Sequence, residues 1–481
     1  PNGVLRFGVD FASNFTANSF DPAKSLNGDD KIDQSLIYDT LTRLSPTGQL
    51  EPGLALSWTY DATTLTIHLR PGVKFSDGTP VDANAVKASV LHIKQSPLRT
   101  SLEVISGIDV VDPATLTFHL TSPTAPDLLY AWNDLDGMVI APSALKTADT
   151  HPVGSGPYIF ESFTPGARLV LKRNPDYWNK AAFQVPEIDF VQVGVGPPAI
   201  SALEAGSIDM TTFQPESYSA VKANPALGVN VRSSHEYAGI QFRLSAPPLN
   251  NPLVRQAVNY AIDRDEINRV VFDGLGIPTD ETFAPDQADA FNAAEAHHYI
   301  PYNPAKARQL LTQAGFPNGV SFTMVIPANV TLFQREAPLL QNEMARAGIT
   351  AKIVTVDAGD LLVTYYEHKA DNALAAENPA EEEPARQLYD SYGKSGFGAV
   401  ITGSVRPELE SLLVKGMGTL DPAVLKPLMQ QASQLATDEA LEAPIVFVPQ
   451  MLAWSRARVG GTPLAGSDAS RPDFMGFFVK K

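Results

Sequence analysis

The stretch LTIHLRPGVKFSDGTPVDANAVKASV, Leu65 to Val90, reads as strand, turn, strand, turn, helix. Leu65, Ile67 and Leu69 alternate with Thr66, His68 and Arg70, the period of a half-buried strand. Pro71-Gly72 breaks the alternation, and Val73 and Phe75 resume it. Ser76 to Pro80 is a run of turn formers. Asp82 stands at a helix N-cap position, its carboxylate free to accept a backbone N–H. Val86, Val90 and Ile93 follow at i, i+4 and i+7 on one helical face. Nothing in the stretch is catalytic grammar.

The strand has an echo. Thr64 to Leu69 (TLTIHL) recurs as Thr115 to Leu120 (TLTFHL), each after an Asp-bearing turn, Asp61 and Asp112. Two strands of one antiparallel sheet would use the same grammar. A metal shared by His68 and His119 is the sharper reading, but no acidic partner sits at matching spacing.

The bulk numbers bound the rest. A chain of 481 residues holds about three domains at roughly 150 residues each. With 44% hydrophobic and 19% charged residues it is globular. The net charge of −17, from 36 basic and 53 acidic residues, argues against nucleic acid or an anionic membrane as partner. The absence of cysteine excludes disulfides and thiol chemistry and fits an oxidising compartment. No apolar run reaches membrane-spanning length. The chain begins at Pro1 rather than Met, so a preceding segment is expected, with a secretory or a lipoprotein signal among the candidates.

Elsewhere strands and helices alternate. Val4–Phe11, Ala238–Leu244 and Ile445–Val448 read as strands. Asn251-Pro252 and Asn303-Pro304 open helices with proline at the first position. Asp263 with Glu266 is a capping-box variant. Val320–Ile326, Phe333–Ala347 and Ile349–Val356 form a strand–helix–strand unit spaced for a right-handed parallel crossover. Glu377–Pro384 (ENPAEEEP) reads as an acidic loop.

Catalytic motifs fail. Ser143-Ala-Leu-Lys146 and Ser219-Ala-Val-Lys222 match S-x-x-K, but its companion motifs are missing. No nucleophile elbow, phosphate-binding loop or HExxH motif occurs. His297-His298 reads as solvated loop. Glu381 to Glu383 is a solvated acidic run or a cation-attracting rim, and Arg335 is a surface arginine or a carboxylate clamp.

One set of phrases is specific by number and order. It comprises Ile37-Tyr-Asp-Thr-Leu41, Glu51-Pro-Gly-Leu-Ala55, Ser57-Trp58, Leu69-Arg-Pro-Gly-Val-Lys-Phe-Ser-Asp-Gly-Thr-Pro80 and Gly154-Ser-Gly-Pro-Tyr158. Further on stand Arg173-Asn-Pro-Asp-Tyr-Trp178, Ala205-Gly-Ser-Ile-Asp209, Val254-Arg-Gln-Ala257, Ala261-Ile-Asp-Arg264 and Tyr302-Asn-Pro-Ala-Lys-Ala307. With these the chain resembles, over residues 4–356, the extracytoplasmic solute-binding proteins of ABC transporters, family 5, which include oligopeptide-, dipeptide- and nickel-binding members.

The resemblance implies an α/β chain with α+β parts, folded as a two-lobed type II periplasmic-binding protein with an extra domain. Lobe I would comprise 1–37, 154–240 and 455–481, the extra domain 38–153 and lobe II 241–454. A solute, peptide-like by family default, would lie in the interlobe cleft. Hinge closure would then present it to a membrane permease. The implied protein is a periplasmic or cell-surface monomer, lipid-anchored or free, with no cofactor, no metal and no catalysis. The matched phrases would be scaffold, while Asn27, Gln241, Arg335, Glu377, Asn378 and Gln450 would stand at the ligand. Peptide-binding members commonly carry a Trp and an Asp in the third-domain loop. This chain has Ala375-Ala-Glu-Asn-Pro-Ala-Glu381 there, leaving Glu377 or Glu381 as replacement. A nickel role has only His368 near that loop. An oligosaccharide, an opine-like compound or a metal chelate remains an alternative solute, and a hydrolase a more distant reading.

Overall fold

The structure, a computed structural model, describes residues 3–11, 19–25, 29–45, 49–194, 196–287, 290–291, 300–328, 330–357, 373–378, 384–394, 406–463 and 474–480. The chain divides into two compact units, Pro1–Arg232 with Gln450–Lys481, and Ser233–Pro449. Both crossings fall inside long strands, Leu227–Phe242 and Glu442–Ser455. The sequence reading set its borders at 240/241 and 454/455. Residues 38–153 belong to the first unit.

In the first unit, Val4–Val9 runs parallel to Glu187–Gln192 and to Met210–Thr212. Leu5 and Phe7 are fully buried on this central strand. Arg168–Arg173 and Tyr158–Thr164 extend the sheet antiparallel. A helix, Pro197–Glu204, joins two of the parallel strands. Gly206 follows at φ 73°, the left-handed residue expected after a helix end.

A second, four-stranded antiparallel sheet holds the opening stretch, in the order Ala55–Tyr60, Thr64–Leu69, Thr115–Leu120, Ile105–Asp112. The echo strands pair directly, with Ile67 opposite Leu116 and Thr66 opposite Thr117. Antiparallel pairing reverses the echo and sets His68 opposite Thr115 and His119 opposite Thr64. The two histidines are thereby separated, and His119 Nε2 pairs with Asp109 at 2.7 Å. Asp82 caps the helix Ala83–Ile93 by accepting from Ala85 N at 2.9 Å. Val86, Val90 and Ile93 are buried. One expectation fails: Val73 and Phe75 form no second strand. Only an isolated bridge, Lys74 to Pro80, forms there. The bridge is closed by Phe75 N donating to Thr79 O at 2.9 Å and Val81 N to Val73 O at 3.0 Å, and the tight turn between its arms is held by Asp77, which accepts from Thr79 N at 2.9 Å. Both apolar side chains are nevertheless buried.

The family-like phrases of this unit converge on Asp39, which is 1% exposed. Its carboxylate accepts from Arg43 at 2.8 Å and from Trp178 Nε1 at 2.5 Å. Arg43 also donates to the Tyr177 hydroxyl. The Arg70 guanidinium lies 3.8 Å from the centre of the Trp178 ring, and that of Arg43 lies 5.1 Å from it. Arg70 Nε reaches Gly53 O at 3.2 Å. Asn174 donates to Gly156 O at 3.0 Å. At Gly154 a Cβ would stand 2.2 Å from Ile37 O, so only glycine fits.

The second unit carries the expected crossover. Val320–Pro327 pairs parallel with Ile349–Val356, and Thr331–Arg346 is the helix between them. Ala373–Asn378 follows, parallel to the first of these and antiparallel to Tyr237–Phe242. Ile240, Phe242, Val254, Phe322, Leu340, Met344 and Ile445 form the core. Asn251 and Asn303 cap their helices through Leu253 N and Lys306 N. Asp263 caps Arg264–Val271 through Glu266 N at 3.1 Å, but the reciprocal arm of the capping box is absent. Glu266 turns to Arg269, and Glu343 from the crossover helix accepts from Asp263 N at 2.9 Å. A distant carboxylate has taken the local one's place. Glu343 is 4% exposed, and burial pushes its carboxyl up to about 7 against the opposing pull of the Asp263 N–H.

Two outcomes follow from these clusters. Asp39→Ala removes the carboxylate partner of the half-buried Arg43 and the acceptor of Trp178 Nε1, and is expected to lower stability by about 3–5 kcal/mol in urea unfolding. Glu343 is raised in the folded state, so its contribution is complete at low pH and is lost as pH rises from about 4.5 through 7. Glu343→Gln, which stays neutral, should therefore gain up to about 3 kcal/mol relative to wild type between pH 5 and pH 8, at 1.36 kcal/mol per pKa unit. Equal pH slopes for the two proteins would refute this.

Candidate functional site

Gln241 lies within the strand Leu227–Phe242, half-buried and opposite Leu374. The sequence reading placed this position in the strand Ala238–Leu244, and the structure has it in a longer strand that starts at Leu227. Its ladder partner Ala373–Asn378 carries Glu377 opposite Ala238 and Asn378 opposite Tyr237. Three candidates thus share one antiparallel ladder of the second unit. Glu377 and Asn378 end a strand and do not belong to the acidic loop in which they were expected, because the ladder continues past Ala376. Residues 379–383, and with them Glu381, lie outside the described residues, as do Asn27, His297, His298 and His368.

Arg335 lies near the start of the helix Thr331–Arg346, and its guanidinium donates to Val270 O at 2.8 Å. That carbonyl belongs to the last turn of Arg264–Val271, where helix carbonyls lack intrahelical partners. At least one of its five donors is engaged in scaffolding. Gln450 is half-buried within Glu442–Ser455 at the crossing and belongs to the first unit.

The family-like phrases of the second unit serve the backbone. Arg255, fully buried, donates to Ala440 O at 2.8 Å, Leu249 O at 2.9 Å and Glu439 O at 2.6 Å. Gln256 donates to Asp438 O at 3.0 Å. The two residues together satisfy the carbonyls that end the helix Pro422–Asp438, where Ala440 adopts φ 46°. Burial lowers the Arg255 guanidinium to about 10. Arg264 donates to Thr279 O and Pro444 O, both at 2.8 Å, and to Asn259 Oδ1 at 2.7 Å. These side chains meet carbonyl oxygens because each lies where chain segments end or turn.

The first unit carries a polar group that sequence reasoning missed. Parallel strands Val4–Val9 and Glu187–Gln192 end together, with Val9 opposite Gln192. Gln192 accepts from Phe11 N and donates to Asp10 Oδ1, both at 2.7 Å. Ligands of open α/β sheets bind beyond the carboxyl ends of such strands. Neither Asp10 nor Gln192 belongs to any motif, and only the strand register brings them together.

The S-x-x-K matches have other partners. Ser143 Oγ donates to Asp77 Oδ2 at 2.6 Å, and Lys222 Nζ lies 5.1 Å from the Tyr218 ring centre. Among the described residues no group of three or more His, Asp or Glu could hold a metal ion, and no helix is long and apolar enough to cross a membrane.

Residues 49–399 match the family model for bacterial extracellular solute-binding proteins, family 5. The glutathione-binding protein GsiB of Shigella dysenteriae serotype 1 is 30% identical over 94% of this chain and 91% of its own length. Among solved structures, the periplasmic binding protein AgaA of A. tumefaciens R10, bound to agropinic acid, superposes with a TM-score of 0.85 at 24% identity, covering 100% of this chain and 99% of its own. DppA of Helicobacter pylori, bound to the peptide STSA, gives 0.84 at 23% identity, covering 100% and 98%. The chain belongs to the family 5 extracellular solute-binding proteins, the capture components of ABC importers, and has their α/β binding-protein fold.

Proposed function

We propose that the chain captures a peptide or peptide-like solute and hands it to the membrane permease of an ABC importer. It acts as a monomer on the outer side of the membrane, in the periplasm or at the cell surface, and performs no catalysis. Two lobes close over the solute about a hinge, and residues 38–153 form a subdomain attached to the first lobe. Asn27, Gln241, Arg335, Glu377, Asn378 and Gln450 are the proposed solute contacts. The observation that carries the peptide-like reading is the 30% identity to a glutathione-binding protein over 94% of the chain. One feature favours a second solute class. The segment Ala375–Glu381 lacks the Trp and Asp common in peptide binders, and an agropinic-acid-binding protein has the same fold.

A thermal-shift screen separates these readings. A ligand at 100 times its Kd adds about 2.7 kcal/mol to the folded state. Reduced glutathione or the dipeptide Met-Leu is expected to raise Tm by several degrees. A rise with agropinic acid or Ni(L-His)2, and none with either peptide, would overturn the peptide reading. Arg335→Ala is then expected to weaken the responding solute by tenfold or more, while its lost bond to Val270 costs about 1 kcal/mol of stability.

A further inference from the structure

The segment 19–25 has no regular strand or α-helix, yet it is held by buried charge. Arg99 is 8% exposed. Its guanidinium donates to Pro22 O at 3.2 and 2.9 Å and also to Ser25 O, gripping both ends of one turn. Asp136 lies 3.4 Å from the Arg99 Nε and itself accepts from Ser101. Asp21, 3% exposed, pairs with His92 Nε2 at 2.9 Å. Asp149 accepts from Ser19 Oγ and Lys24 Nζ, both at 2.5 Å. Gln34 donates to Ser25 Oγ at 2.5 Å. Burying charge in an irregular segment is costly unless every group is paired. A loop needed only to connect two elements would stay at the surface and be hydrated.

The held segment also lies at a particular edge. Phe20 and Phe11 both pack edge-on against Phe163, with ring centres 5.2 and 5.5 Å away. Phe11 is the residue that Gln192 fixes beyond the carboxyl end of the central parallel strand. Arg99, His92, Asp136 and Asp149 all come from residues 38–153, whose sheet takes no part in the main one.

We propose that Arg99 is a positioning residue for solute binding, holding segment 19–25 against the carboxyl edge of the first-unit sheet in its binding-competent form. The region 38–153 would then act on the solute through this contact and not by touching it. The inference rests on the solute-binding role and not on the class of solute.

The test compares Arg99→Met and Arg99→Lys with Leu116→Ala, a core change in the four-stranded sheet of the same region. Affinity is measured by calorimetry with reduced glutathione or, if the wild type answers only to agropinic acid or Ni(L-His)2, with that solute. Hydrogen exchange of peptides covering 19–25 is measured without solute. Arg99→Met is expected to speed exchange in 19–25 and weaken affinity tenfold or more. Arg99→Lys, able to hold one carbonyl, should fall between. Leu116→Ala should lower Tm and leave affinity within twofold of wild type. Unchanged exchange in Arg99→Met overturns the inference, as does unchanged affinity with exchange accelerated. Equal weakening by Leu116→Ala would make the effect one of general stability and overturn it too. Failure of both peptides on the wild type sinks the peptide reading alone, because the Arg99 comparison then runs with the responding solute.

Discussion

The first unit is organised around one carboxylate. Asp39 is buried and so must be paired. Its partners are Arg43, four residues on in the strand Thr42–Leu44, and Trp178, which arrives from far along the chain. Trp178 in turn lies beside the cations of Arg43 and Arg70, and Arg70 reaches the carbonyl of Gly53. Four separate phrases are thus tied at one point. A cation over an indole ring gains most when desolvated, and here each charge in the stack has a partner. The same point draws in the close backbone approach at Gly154, where any side chain would strike Ile37 O. Asp39, Gly53, Arg70 and Trp178 each come from a different one of the family-like phrases, so four of those phrases are parts of one clamp.

The second unit solves a similar problem with arginines and carbonyls. A helix that ends inside a protein leaves carbonyl oxygens without donors. Arg255 and Gln256 supply donors to three successive carbonyls after Gln434's helix turns at Glu439. Arg264 does the same for the segment leading into Pro444. An arginine placed this way carries its charge into the interior, and its lowered pKa reflects that cost. These residues hold the frame and leave the solute to others. This division explains why a chain can be assigned to its family from scaffold while its solute stays undecided. The frame needs many matched residues, whereas recognition of a solute needs a few side chains on strand ends and loops.

The candidate site was legible only in part. Gln241, Glu377 and Asn378 come to share one ladder, which the sequence could not show because its partner strands lie far apart in the chain. Arg335 looked like an anion clamp on its chemistry, but a backbone carbonyl holds one of its donors. Asp10 and Gln192 gave no signal at all, since their pairing depends on the register of parallel strands. The grip of Arg99 on Pro22 and Ser25 was equally hidden, because an arginine that binds main-chain oxygens needs no particular residue as its partner.

What the sequence determined by itself was whatever local periodicity and capping chemistry control. Alternation placed the echo strands, and their pairing followed from shared turn grammar. Asp82, Asn251 and Asn303 announced their helices because a cap acts within three residues. The parallel pairing of Val320–Pro327 with Ile349–Val356 across a helix followed from the spacing of the unit. Tertiary structure decided whatever depends on partners brought from afar. It replaced Glu266 with Glu343 at the Asp263 cap, confined Val73 and Phe75 to the flanks of a single bridge, and ran two strands uninterrupted from one unit into the other. The reason is common to all three. A hydrogen-bonding group is satisfied by the donor or acceptor that folding delivers to it, and sequence separation does not limit which one that is.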